Sequence, residues 1–126
     1  PFRTISSFAW SNVGARISHA ALEETERILP NTRGLGDRIE DGLRTLQERH
    51  PGLLRDVRRT GLLFALDFPD DAAGFGFLAQ MFVRGVLVVA SSQRQDVVKL
   101  YPPLILAAEQ VDLFLEAAES SLLALR

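Results

Sequence analysis

Val57-Arg58-Arg59-Thr60-Gly61-Leu62-Leu63-Phe64-Ala65-Leu66-Asp67-Phe68 is where the chain changes its period. Upstream, apolar residues recur every three or four positions, as on a helix face. From Leu62 to Phe68 they run almost without interruption. A short apolar run bounded by Gly61 on one side and the turn-forming Pro69-Asp70-Asp71 on the other reads as a strand buried on both faces.

Two helical patterns precede it. Val13, Ile17, Ala20, Ala21 and Ile28 recur at near-helical spacing after Ser11 and Asn12, either of which suits an N-cap, and Pro30 is expected to end this helix. The second pattern runs from about Thr32 to Arg49, with Leu35, Ile39, Leu43 and Leu46 on one face. Glu40 and Arg44 stand in the favourable i,i+4 order on the other, and His50-Pro51-Gly52 stops it. After the strand, Ala72 to Val83 reads as a helix with Phe75, Leu78 and Phe82 on its inner face, closed by Arg84-Gly85. Val86-Leu87-Val88-Val89 and Val97-Val98-Lys99-Leu100-Tyr101 are β-rich runs around a polar connection, hence an antiparallel hairpin. A last helix, from about Ala108 to Leu125, presents Val111, Phe114, Leu115, Ala118, Leu122 and Leu125 inward, with no Ser, Thr or Asp at its start to cap it. The order gives an α+β fold: a small, mainly antiparallel sheet with helices packed on one face, preceded by a long helix. The first helix and the leading Pro1 to Trp10 segment have little sheet left to cover, and such an exposed apolar face marks a partner surface.

Composition narrows the function. The chain has 126 residues, 47% of them hydrophobic, enough for one core, and a formal charge of -2. Acidic residues interleave with arginines, so there is no electrostatic footprint for nucleic acid. No apolar run approaches the ~20 residues that span a bilayer. Absence of cysteine excludes a disulfide framework and fits a cytoplasmic setting. The chain starts at Pro1 without an initiator Met, which reads as a piece cut from something longer.

Catalytic constellations are sparse. Ser6, Ser7, His19 and Asp37 do not make a nucleophile triad, because no Gly-x-Ser-x-Gly elbow surrounds either serine and His19 falls in mid-helix. His19 and His50 do not make a metal site between them, so neither a catalytic residue nor a metal ligand is assigned. Lys99 is the only lysine and invites a Schiff-base reading, but it lies in a strand with no Gly-rich anion cradle beside it.

Four collinear blocks carry a resemblance. Ser6-Ser7-Phe8-Ala9-Trp10-Ser11-Asn12 stands where S-T-F-G-G-N-P introduces a long helix. Val57 to Phe68 is similar to V-R-G-x-G-L-M-x-G-I-E-L. Arg84-Gly85-Val86-Leu87-Val88 is similar to R-G-V-L-V, and Val97-Val98-Lys99-Leu100-Tyr101-Pro102-Pro103-Leu104 to V-I-R-L-x-P-P-L. In these blocks the chain resembles the C-terminal small domain of class III pyridoxal-phosphate (PLP) aminotransferases of the ornithine and acetylornithine type, fold type I enzymes. The resemblance implies residues 1–12 as a cofactor-loop and interdomain segment and 13–126 as the small domain. The large PLP-binding domain, with its Schiff-base lysine, lies elsewhere in a homodimeric enzyme. It implies amino transfer between an amine or amino acid and a 2-oxo acid, and an inactive piece when isolated. Ser7, with Ser6, matches the position that binds the PLP phosphate, where a hydroxyl retains a donor; a local turn bond is the plainer alternative. Lys99 matches an Arg that grips the substrate carboxylate, keeping the charge but losing the planar fork. Trp10 replaces a glycine at the substrate mouth, and Ala9 and Asn12 depart from the family there as well. Arg58 matches the Arg of an R-G pair whose glycine is Arg59 here, and reads as structural. Mutase-type and decarboxylase chemistry remain open on this scaffold, as does a non-catalytic interaction or oligomerisation module.

Overall fold

The structure is a computed structural model that describes residues 11–126. Its elements are α1 (Asn12–Arg49), β1 (Asp56–Thr60), β2 (Leu63–Asp67), α2 (Asp71–Val83), β3 (Val89–Ala90), β4 (Val97–Leu100) and α3 (Ala108–Leu123). The strands form one antiparallel sheet in the order β1-β2-β4-β3. No described helix is long and apolar enough to cross a membrane.

Where two helices were expected, α1 runs unbroken through Pro30. Proline removes one backbone donor and crowds the preceding turn. Here Glu26 and Pro30 are both exposed, so the carbonyl deprived of its partner is open to water, and the Thr32 hydroxyl donates to the Leu29 carbonyl at 2.7 Å. Ser11 is the cap: its hydroxyl accepts from the Gly14 N–H at 3.0 Å. Only the second half of α1 reaches the core, through Ile39, Leu43 and Leu46, while Val13, Ile17, Leu22 and Leu29 stand exposed.

Asp56–Thr60, unassigned by pattern, is strand β1. A two-residue loop, Gly61-Leu62, joins it to β2, with φ of +60° at Gly61, the first of its two residues, as a type II′ hairpin requires. The register places Val57, Arg59, Phe64, Leu66, Val98 and Leu100 on one face and Arg58, Leu63, Ala65, Asp67 and Lys99 on the other. Helices cover the first face only. β2 is therefore not buried on both faces: Leu63 is exposed and Ala65 half-buried. The core joins Phe64, Leu66 and Val98 to Leu43 of α1, Phe77 and Met81 of α2, and Val111 and Leu122 of α3.

The inner face of α2 is also corrected. Gly74, Phe77 and Met81 point inward, and Phe75 and Phe82 point out. With Asp71 and Gln80 as its only polar residues, α2 is apolar all round, so periodicity does not distinguish its faces. The run Val86–Val88 is spent on leaving α2: the Val86 N–H donates back to the Met81 carbonyl, and β3 keeps only Val89 and Ala90. α3 begins without a Ser, Thr or Asp because Gln110 reaches back, its Oε1 accepting from the Ala107 N–H at 2.9 Å.

Arg59 locks β1 to α1. Its guanidinium lies where a Cβ on Gly36 would stand, donates to Asp37 (2.6 Å), Glu40 (3.1 Å) and the Gly61 carbonyl (2.6 Å), and sits 5.8 Å from the Phe64 ring centre. Hydrogen bonds from Arg44 first, and from Arg59 second, hold the Glu40 carboxyl below its usual pKa. A carboxyl depressed in the folded state stabilises above its unfolded pKa, and that contribution is lost as pH falls through the folded value. Wild-type protein is therefore expected to lose urea stability more steeply on acidification below the ordinary carboxylate range than Glu40→Gln. Parallel curves for the two proteins count against the lock.

Candidate functional site on the bare sheet face

The uncovered face carries a row running Arg58, Ala65, Lys99, Val89 across the four strands. Small Ala65 between the two cations leaves a shallow groove, flanked by Thr60 and Leu63. Arg58 and Lys99 originate two strands apart, roughly 9–10 Å between their backbones.

The cations on this face differ in how far they are neutralised. Arg58 donates to the Asp67 carboxylate at 2.5 Å, and Asp67 is itself buried. Arg94 donates to Asp96 at 2.6 Å and lies 3.9 Å from Asp67. The Arg94 bond holds the Asp96 carboxyl below its usual range, and the same bond raises Arg94. Lys99 has no carboxylate partner among the described residues. Its ammonium stands 5.9 Å from the Tyr101 ring centre, a cation–π contact that does not occupy its hydrogen-bond donors.

Of the residues singled out from sequence, the structure thus places Lys99 on the open face and gives Arg58 an ion-pair partner. Ser6, Ser7 and Trp10 lie outside the described residues. Asp37 is taken by Arg59, and His19 is an exposed α1 residue 3.5 Å from Glu23. His50 is not on a helix face but caps the C-terminus of α1, buried, with Arg126 3.2 Å from its Nδ1. Sequence reasoning missed Asp67 as the partner of Arg58. The Gly61-Leu62 turn was the available signal, since closing a two-residue hairpin there sets Arg58 opposite Ala65 and diagonal to Asp67.

The architecture is a one-sided α+β layer whose chemically competent groups sit on the bare sheet face. Residues 8–122 match the class-III aminotransferase family, and the chain belongs to that family. A phospholyase from Arthrobacter in complex with phosphoethanolamine is 27% identical with a TM-score of 0.75, over 85% of this chain and 27% of that one. Lysine aminotransferase from M. tuberculosis is 25% identical with a TM-score of 0.75, over 82% of this chain and 23% of that one. Acetylornithine aminotransferase from Elizabethkingia anophelis, 22% identical over 98% of this chain and 33% of that one, shares the fold with a TM-score of 0.84. The chain therefore spans only about a quarter to a third of the length of these relatives.

Class III aminotransferases are PLP-dependent in general. The described residues by themselves do not fit the cofactor. They offer one free ammonium on an open sheet face, with its neighbour Arg58 already engaged by Asp67 and no enclosed cradle of donors for a phosphate.

Proposed function

We propose that residues 13–126 are the C-terminal small domain of a PLP-dependent aminotransferase, with residues 1–12 as its cofactor-loop segment. In the whole enzyme, an amino group passes between an amine or amino acid and a 2-oxo acid. PLP, when bound, supplies the electron sink for this exchange. Ser7 and Ser6 contribute hydroxyl donors to its phosphate, Trp10 shapes the substrate mouth, and the reactive lysine comes from the large domain. That domain covers the bare sheet face and the exposed Val13, Ile17, Leu22 and Leu29 of α1; a homodimer and a cytoplasmic setting belong to the same reading.

One observation carries it: among the described residues, Lys99 is the cation left without an acid on a face where Arg58 and Arg94 are neutralised. An unpaired ammonium beside a groove suits an incoming carboxylate, and its flexible stem holds that group by charge rather than by a bidentate fork. In the full-length enzyme, Lys99→Ala is expected to lower kcat/KM for a carboxylate substrate about 10–100-fold, mostly through KM, the size of a lost charge-assisted hydrogen bond. Lys99→Arg should retain most of the activity. An unchanged kcat/KM in Lys99→Ala removes Lys99 from the substrate site.

The altered loop, with Ala9 and Trp10 at the glycine positions, favours a second reading as a non-catalytic interaction module. Titration of the full-length protein with PLP separates the two, since the module leaves the absorbance of the free cofactor unchanged.

A further inference from the structure

The outward face of α2 has no cover among the described residues, yet it is apolar. Ala72, Phe75, Ala79 and Phe82 are all exposed, Phe75 by 47% and Phe82 by 65%. Their spacing, i, i+3, i+7, i+10, is the a-d-a-d seam of a heptad, with alanine at both a positions and phenylalanine at both d positions. This stripe is separate from the buried Gly74, Phe77 and Met81 and from the sheet face that bears Lys99.

The seam is self-complementary in one orientation. Two such helices set antiparallel about a two-fold axis level with residue 77 oppose Ala72 to the partner's Phe82 and Phe75 to the partner's Ala79, a large residue against a small one in every layer. Parallel pairing stacks phenylalanine on phenylalanine and alanine on alanine, overfilled and void by turns. At about 200 Å² per aromatic side chain, the exposed fractions of Phe75 and Phe82 give roughly 450 Å² over two copies. Ala72, Ala79 and the exposed Val83 bring the contact towards the ~1,000 Å² that separates specific from adventitious pairing, in the weak and reversible class. We infer that α2 is a homotypic docking surface, on which a second copy of this chain seats its own α2 antiparallel. The inference does not depend on the amino-transfer reading or on association through any other surface.

Sedimentation velocity of the full-length protein over about 1–300 µM tests it, a range suited to a weak contact. Wild type is expected to double its particle mass with rising concentration. Ala72→Glu and Phe82→Lys should each abolish the doubling at unchanged circular dichroism, because both sites are exposed. Combining them should restore it, by setting a carboxylate at position 72 against an ammonium at position 82 of the second copy, twice per pair. Positions 72 and 82 lie about 15 Å apart along one helix, so the restoration is not internal. A wild type that never doubles, a doubling that survives Phe82→Lys, or a double variant that stays undoubled overturns the inference. So does a fall in Tm for Phe82→Lys at unchanged mass, which assigns the stripe to another part of the same polypeptide.

Discussion

Phe64→Ala is expected to destabilise the protein by about 3–5 kcal/mol, a large share of the 5–15 kcal/mol that holds a typical domain together. Phe64 is 0% exposed and stands opposite Arg59 on β1 and Leu100 on β4, at the centre of the helix-covered face. Truncation forfeits the transfer energy of the ring and leaves a cavity that the paired strands cannot close, because the hydrogen bonds of the sheet hold its backbone in place. It also removes the ring over which the Arg59 guanidinium lies. Leu63→Ala, one residue away but on the bare face and 44% exposed, should cost under about 1 kcal/mol. Urea midpoints of the two variants give the comparison. Equal losses, or a loss below about 1 kcal/mol for Phe64→Ala, contradict the assignment of faces.

Gly74→Ala should destabilise by up to about 2 kcal/mol although alanine is the better helix former. A Cβ at Gly74 would stand 2.6 Å from the Gln95 carbonyl oxygen and 3.3 Å from the Asp96 Cα, and both are backbone that cannot rotate away. Overpacking of about 1–3 kcal/mol thus outweighs the ~1 kcal/mol gained in propensity. The loop struck is the one that feeds β4, and its Asp96 carbonyl accepts from the Phe68 N–H at 2.8 Å. Gly34→Ala is the matched opposite: it lies in α1 with nothing within 4 Å of the added Cβ, so propensity acts alone and stability rises by about 0.5–1 kcal/mol. Thermal melts should move in opposite directions, by about 4–8 °C per kcal/mol. If both substitutions raise Tm, α2 does not abut the β4 loop as closely as described.

Much of this was legible beforehand, for reasons that can be named. The Ser11 cap, the Leu35–Ile39–Leu43–Leu46 face and the inward stripe of α3 rest on short-range rules, capping and helical period, that need no knowledge of distant contacts. The collinear blocks pointed to the family that residues 8–122 match. Expectations went wrong where a local rule met a context it does not contain. Pro30 ends a helix only when the freed carbonyl has no other partner, and at an exposed site water serves. The face of α2 was misplaced because every side of that helix is apolar. Strand β1 went unread because Arg58, Arg59 and Thr60 do not alternate with apolar residues.

Taken alone, the order of residues determined an α+β layer, its elements from β2 onward in order, and its family, since periodicity, turn residues and collinear blocks are properties of neighbours along the chain. Only the tertiary structure decided that Lys99 stands on the sheet face without helices and has no carboxylate partner among the described residues, that Arg58 is engaged by Asp67, and that Phe75 and Phe82 point outward. Those facts depend on strand register and on which side of each element meets the core. A shift of one residue in a strand, or of about 100° around a helix, reverses them without changing any local preference.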